Sequence, residues 1–219
     1  MSRDTYQEQL YELQEDVLEM SDVVCQRFRR ALEAYETGDE ALAESVIEGD
    51  HEINQLYLDL EGDCVELLAL QQPVASDLRF VASSFKIITD LERVGDLAVN
   101  LAAYATQSGR ERYPEVDVVH IGTETILLLE AAMQAYATDD AAATHEIAAT
   151  DDEIDVLCER ASRTVVRELL AADPSDEQLL EDVSRMLLTI RDLERVGDHA
   201  VNVAARTLYM VDNDETLLY

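Results

Sequence analysis

The sequence predicts an all-α protein, built as two tandem three-helix bundles related by approximate twofold symmetry. Three observations carry that expectation: an internal duplication, apolar residues at helical spacing, and few chain breakers, with 7 Gly and 3 Pro in 219 residues. The duplication is plainest where Asp90-Leu91-Glu92-Arg93-Val94-Gly95-Asp96-Leu97-Ala98-Val99-Asn100 returns as Asp192-Leu193-Glu194-Arg195-Val196-Gly197-Asp198-His199-Ala200-Val201-Asn202, changed only at Leu97/His199. Ala34-Tyr35 with Thr37 and Asp39 recurs as Ala135-Tyr136 with Thr138 and Asp140. Asp50-x-Glu52-Ile53 with Leu56 recurs as Asp151-x-Glu153-Ile154 with Leu157. The offset is 101 residues in these blocks and 102 in the long one, far beyond a solenoid repeat. A small domain is present twice.

The punctuation divides each half into three helices. A first helix over about residues 4 to 36 stops at Thr37-Gly38-Asp39. A second, about 39 to 70, ends at Gln72-Pro73, because proline disfavours helix at the residue before it. A third runs from about Ser76 to Thr106 and is stopped by Ser108-Gly109. Arg110 to Pro114 reads as the linker, dividing the chain into bundles 1–109 and 110–219. The second half repeats the plan, with turns at Thr138-Asp139 and Asp173-Pro174-Ser175. Helices of roughly 30 residues joined by short turns form antiparallel bundles about 45 Å long. On the third helix Ile87, Leu91, Val94, Ala98, Leu101 and Ala105 share one stripe, while Glu92, Asp96 and Asn100 face outward. The sixth repeats this, with Ile190, Leu193, Val196, Ala200 and Ala204 inside and Glu194, Asp198 and Asn202 outside. Gly95 lies near the buried stripe, where a missing side chain permits a close helix approach.

Composition excludes several classes. With 48 Asp+Glu against 16 Lys+Arg the formal charge is -32, which repels phosphate backbones and argues against nucleic-acid binding. A hydrophobic content of 47% argues for a folded core rather than acidic disorder. The acidic shell resembles adaptation to a salt-rich cytoplasm and suggests a haloarchaeal source. Cys25, Cys64 and Cys158 show no CxxC spacing, as expected of reduced thiols in a cytoplasmic protein. Met1-Ser2-Arg3-Asp4 offers neither the basic start nor the apolar run of a signal peptide. No stretch approaches the ~18 uninterrupted apolar residues of a membrane span, so no direct membrane insertion is expected.

The carboxylates are the candidate site. Glu and Asp four apart share a helix face, but in so acidic a chain about ten such pairs arise by chance, and an isolated pair is ordinarily a solvated face. Register changes that. Measured from Pro73, Asp50 and Asp96 are each 23 residues away, and Asn54 and Glu92 are each 19. About the Asp173-Pro174 turn, Asp151 and Asp198 are nearly equidistant, as are Asp155 and Glu194. Antiparallel packing therefore brings two i, i+4 pairs level in each half. Stacked acids are costly without a cation, which points to an oxygen-ligand metal cluster in each half. The metal set is Asp50, Asn54, Glu92 and Asp96 in the first half, and Asp151, Asp155, Glu194 and Asp198 in the second. Spacing does not choose among iron, zinc, magnesium, manganese and calcium.

These residues carry a resemblance to the PhoU family of phosphate-specific transport accessory proteins. Glu92-x-x-x-Asp96, Glu194-x-x-x-Asp198 and Asp151-x-x-x-Asp155 are similar to the family's paired E(D)xxxD motifs. Leu70-Gln71-Gln72-Pro73-Val74-Ala75-x-Asp77-Leu78-Arg79 resembles its first hairpin. Asn54 departs from the pattern, standing where the family has a carboxylate, so weaker metal binding is expected in the first half. The resemblance implies two three-helix bundles bearing surface metal clusters, iron or zinc first among the metals. It also implies a regulator that restrains phosphate uptake when phosphate is plentiful. The implied partners are the phosphate transporter ATPase and, in bacteria, a membrane sensor kinase; separately, the Tyr-rich and Ala-rich helix faces suit a homodimer.

Two other classes stay open on residues alone. A carboxylate-bridged di-metal enzyme would use Glu-x-x-His inside the bundle. Glu48-x-x-His51 has that spacing, but the second half offers Ala149 and Asp152 instead. A helical adaptor whose acids reflect salt adaptation alone is the other. No phosphate loop, nucleophile elbow or dinucleotide glycine pattern occurs, so no catalytic residue is assigned. Arg93 and Arg195 beside the carboxylates read either as helix ion pairs or as partner contacts.

Overall fold

A computed structural model describes residues 3–70, 74–106, 113, 115–171 and 177–218. Seven helices account for nearly all of them: α1 (Arg3–Thr37), α2 (Glu40–Glu48), α3 (Asp50–Leu70), α4 (Ala75–Ala105), α5 (Val118–Thr138), α6 (Ala143–Ala171) and α7 (Glu177–Asp212). The expected turns at Gln72-Pro73 and Asp173-Pro174-Ser175, and the bundle boundary at 109/110, lie outside the described residues. So does most of the Arg110 to Pro114 linker.

Local chemistry explains the described helix ends. Gly38 adopts a positive φ of 70° after α1, a conformation glycine takes without strain. The Asp39 carboxylate then accepts from the Leu42 amide at 3.0 Å and caps α2. In the second half Asp139 takes the left-handed turn at φ 55°. Asp140 Oδ1 accepts the Ala142 and Ala143 amides at 3.0 and 3.1 Å. Such N-caps are each worth about 1 kcal/mol.

One helix differs from expectation. The single helix anticipated over 39 to 70 is broken at Gly49, giving α2 and α3, whereas its counterpart α6 runs unbroken. The cause is a buried cation. Arg27 of α1, 6% exposed, passes its guanidinium so close to Gly49 that an added Cβ would stand 3.3 Å from Nη2. That Nη2 donates to Glu52 at 2.7 Å. At the matching positions the second half has apolar, buried Leu128 in place of Arg27 and exposed Thr150 in place of Gly49.

The bundles meet through α4 and α7, which pack together at the centre, with α1 and α3 flanking α4, and α5 and α6 flanking α7. The apolar stripe read from sequence lies between these layers. Ile87, Leu91, Val94, Ala98 and Leu101 of α4 are buried, as are Ile190, Leu193, Val196, Ala200 and Ala204 of α7. Polar contacts also cross between the repeats. Ser84 Oγ and Tyr136 Oη lie 2.7 Å apart, and Gln14 Nε2 donates to the Tyr136 carbonyl oxygen at 3.2 Å. The three cysteines are buried and unbonded, and burial pushes Cys25 up to about 11 and Cys64 and Cys158 up to about 12. Among the described residues no helix is long and apolar enough to cross a membrane.

Candidate metal centres

The second half brings all four of its expected residues into one patch on the α6–α7 seam. Asp151 is half-buried, while Asp155, Glu194 and Asp198 are exposed. Burial, followed by the charges of Asp155, Asp198, Asp152 and Glu194, pushes the Asp151 carboxyl up to about 7. Asp155 is raised by burial and then by Asp198 and Asp152. Glu194 is raised by burial, Asp155 and Asp198. Asp151, Asp155 and Glu194 all feel the Asp198 charge, which requires that the four share one surface. Asp151 Oδ1 is buried and has no hydrogen-bond partner, a costly state for a carboxylate oxygen. Gly197 makes room for it, since a Cβ there would strike that same oxygen.

The first half is built from the same letters but answered differently. Asp50 opens α3, with Asn54 one turn later, and Glu92 and Asp96 come from α4. Asn54 Nδ2 donates to Asp50 Oδ2 at 2.8 Å. Arg93 Nη1 donates to Asp96 Oδ2 at 3.1 Å, and its Nε stands 3.4 Å from Glu92 Oε2. Burial raises Glu92, Asp96 adds to the rise, and Arg93 opposes it; Asp50 adds further and His199 opposes. The Glu92 side chain is only 18% exposed against 43% for Asp96, so the former sits in the seam rather than facing fully outward. Gly95 lies over Ile53, where an added Cβ would be 3.0 Å from Cδ1. Arg195, the counterpart of Arg93, has no ion pair among the described residues.

Among the described residues no three Asp, Glu, His or Cys side chains stand close enough to hold an ion without rearrangement. In the second patch the exposed Asp155, Glu194 and Asp198 would have to rotate toward Asp151. The donor set fits a hard cation. Its four carboxylates include one buried oxygen lacking a donor and have no ion-paired cation among the described residues. The first set fits less well, because Asn54 and Arg93 already engage its carboxylates.

The histidines fall outside a di-metal arrangement. His51 is exposed, with Nδ1 3.0 Å from the Glu48 carbonyl oxygen. His120 Nδ1 lies 3.7 Å from Glu124. His199 instead reaches across to α4, its Nδ1 2.8 Å from Asp90 Oδ1.

Sequence reasoning missed a second use of the repeated block. Asn202 Nδ2 donates to Asp90 Oδ1 at 3.1 Å, and Asn100 Nδ2 donates to Asp192 Oδ2 at 3.2 Å. Tyr104 Oη donates to Asp192 at 2.9 Å, and Arg191 Nη2 does so at 2.7 Å. Each repeat thus clasps the aspartate of the other across the α4–α7 seam, a reciprocal contact that approximate twofold symmetry produces. The available signal was the identity of Asp90 with Asp192 and of Asn100 with Asn202, at positions outside the carboxylate register.

The description "PhoU domain" fits both halves, over residues 17–105 and 118–207. The chain belongs to the PhoU domain family. It is 34% identical to the phosphate-specific transport system accessory protein PhoU homolog of Pseudomonas aeruginosa over 93% of this chain and 84% of that protein. The crystal structure of PhoU from Pseudomonas aeruginosa superimposes with a TM-score of 0.87 at 33% identity, covering 95% of this chain and 100% of that one. The phosphate transport system regulatory protein PhoU from Streptococcus pneumoniae gives 0.87 at 28% identity, covering 96% and 99%. The all-α, doubled PhoU architecture expected from the sequence is the one observed.

Proposed function

We propose that the chain is a regulator of phosphate uptake that restrains a phosphate-specific transporter through protein contact rather than catalysis. The observation that carries this reading is the match of both halves to PhoU domains, together with relatives named as phosphate transport accessory and regulatory proteins. The transporter ATPase in the cytoplasm is the first partner. A sensor kinase and a second copy of the chain are further ones. Nothing in the fold favours the di-metal enzyme, since the carboxylate patches lie on helix seams open to solvent, and His199, the histidine near Glu92, is engaged by Asp90.

Divalent or trivalent metal ions bind the two patches. In the second patch Asp151, Asp155, Glu194 and Asp198 hold the ion, and in the first Asp50, Asn54, Glu92 and Asp96 do so more weakly. A bound cation supplies positive charge where like charges crowd. The protein's own contribution is to hold those acids level on adjacent helices, Gly197 giving Asp151 its place. Neutralising the patch draws α6 and α7 together at the surface and fixes the face they present.

The test is co-purification of the transporter ATPase with the full chain at high and at low phosphate. Retention that is stronger at high phosphate is expected. Equal recovery in both conditions, or none, contradicts the proposal.

A further inference from the structure

We propose that an open groove between α1, α4 and α7 is the docking site for a cationic, apolar-anchored segment of a partner protein. This rests on the reading that the chain acts by protein contact, and it names the surface used. The groove has a volume of about 520 Å³. Leu10, Phe80 and Met210 give it an apolar lining, exposed Tyr11 forms one wall, and Asp77 and Asp139 line its edges. It joins the two repeats, taking Asp139 from the α5–α6 turn and Met210 from the end of α7.

The occupant follows from the charges. Among the described residues no Lys or Arg lines the groove, Arg79 standing beside it with Nε 3.5 Å from the Met210 carbonyl oxygen, and neither Asp77 nor Asp139 has an ion pair. Two unneutralised carboxylates beside an apolar lining complement a segment that offers an aliphatic or aromatic anchor flanked by Arg or Lys. The groove is open along one side, which suits a helix or extended segment better than a small molecule needing most of its surface enclosed.

Among the described residues the α1 wall of the groove has no equivalent in the second half. α1 has 35 residues and α5 has 21, with their C-terminal ends matched at Thr37 and Thr138. The extra turns of α1 lie at its N-terminal end and include Leu10 and Tyr11, and among the described residues they have no counterpart on α5; the matching positions 111 and 112 lie outside the described residues.

The experiment uses the full chain with purified transporter ATPase, measured by titration calorimetry. Neutralising the groove with Asp77→Asn and Asp139→Asn weakens binding by at least about tenfold; asparagine tolerates the left-handed backbone at 139. The distant exposed pair Glu36→Gln with Glu44→Gln changes it by less than about twofold, as charges beyond a Debye length are screened. Circular dichroism of both variants matches the parent. A photoreactive benzoylphenylalanine at Tyr11 cross-links to an ATPase segment carrying Arg or Lys beside Leu, Ile or Phe. Undiminished binding by the groove variant, equal weakening by both pairs, or cross-linking to a second copy of the chain overturns the groove and leaves the partner reading intact. Absence of any binding by the parent chain, at either phosphate level, overturns both.

Discussion

Glu92, Arg93 and Asp96 in one patch and Glu194, Arg195 and Asp198 in the other are the same residues at the same spacing, yet the protein treats them differently. In the first half the break at Gly49 puts Asp50 in the opening turn of α3, where helix N-terminal amides favour a negative charge. Asn54 donates to it, and Arg93 lies against Glu92 and Asp96. In the second half α6 runs unbroken, so Asp151 sits mid-helix. Asp155 replaces the asparagine, and Arg195 is not paired with its neighbours among the described residues. One half neutralises its acids internally and the other leaves them for an external cation. Duplication preserved the letters of α4 and α7; their partners on α3 and α6 decide the electrostatics.

The glycines separate the halves most sharply. Gly95→Ala drives a methyl into Ile53, so about 1–3 kcal/mol of stability is lost to overpacking, offset in part by up to ~1 kcal/mol of helix propensity. Its metal binding stays unchanged. Gly197→Ala displaces Asp151 and lowers metal affinity of the second patch by about tenfold or more, comparable to loss of an oriented metal-site group. Chemical denaturation and metal titration on both variants read the two effects. Identical behaviour of the pair would erase the distinction drawn between the seams.

A smaller effect lies in pH. The folded Asp151 carboxyl titrates at about 7 against a reference of 3.8, so between those values the folded state holds a proton the unfolded chain has released. Stability of chelator-treated protein therefore falls as pH rises through that window. Raised Asp155, Glu194 and Glu92 act in the same direction. Thermal unfolding monitored by circular dichroism gives a shallower pH slope for Asp151→Asn, and metal restores stability at the upper end. A slope unaltered by that substitution would remove Asp151 as a source.

Much of this was legible in the sequence. The duplication, the α4 and α7 stripes and the level placement of the carboxylates follow from helical periodicity and turn positions alone. The broken second helix was not, because Gly49 is a single permissive residue whose meaning depends on Arg27, 22 positions earlier and on another helix. Periodicity also could not reveal that Asn54 and Arg93 satisfy the first patch. That depends on side-chain geometry across α3 and α4. The Asp90 and Asp192 clasps are not legible there, because Asn100, Tyr104, His199 and Asn202 reach them from the other repeat, and intrabundle register gives no information about contacts between bundles.

The two patches differ most directly in which takes a cation first. Zinc(II) titrated into chelator-stripped protein and followed by calorimetry is expected to bind in two phases. The tighter phase disappears in Glu194→Ala with Asp198→Ala, and the weaker one disappears in Glu92→Ala with Asp96→Ala. Loss of the tighter phase from the first-half variant, with the second-half variant binding as the parent does, would contradict that order.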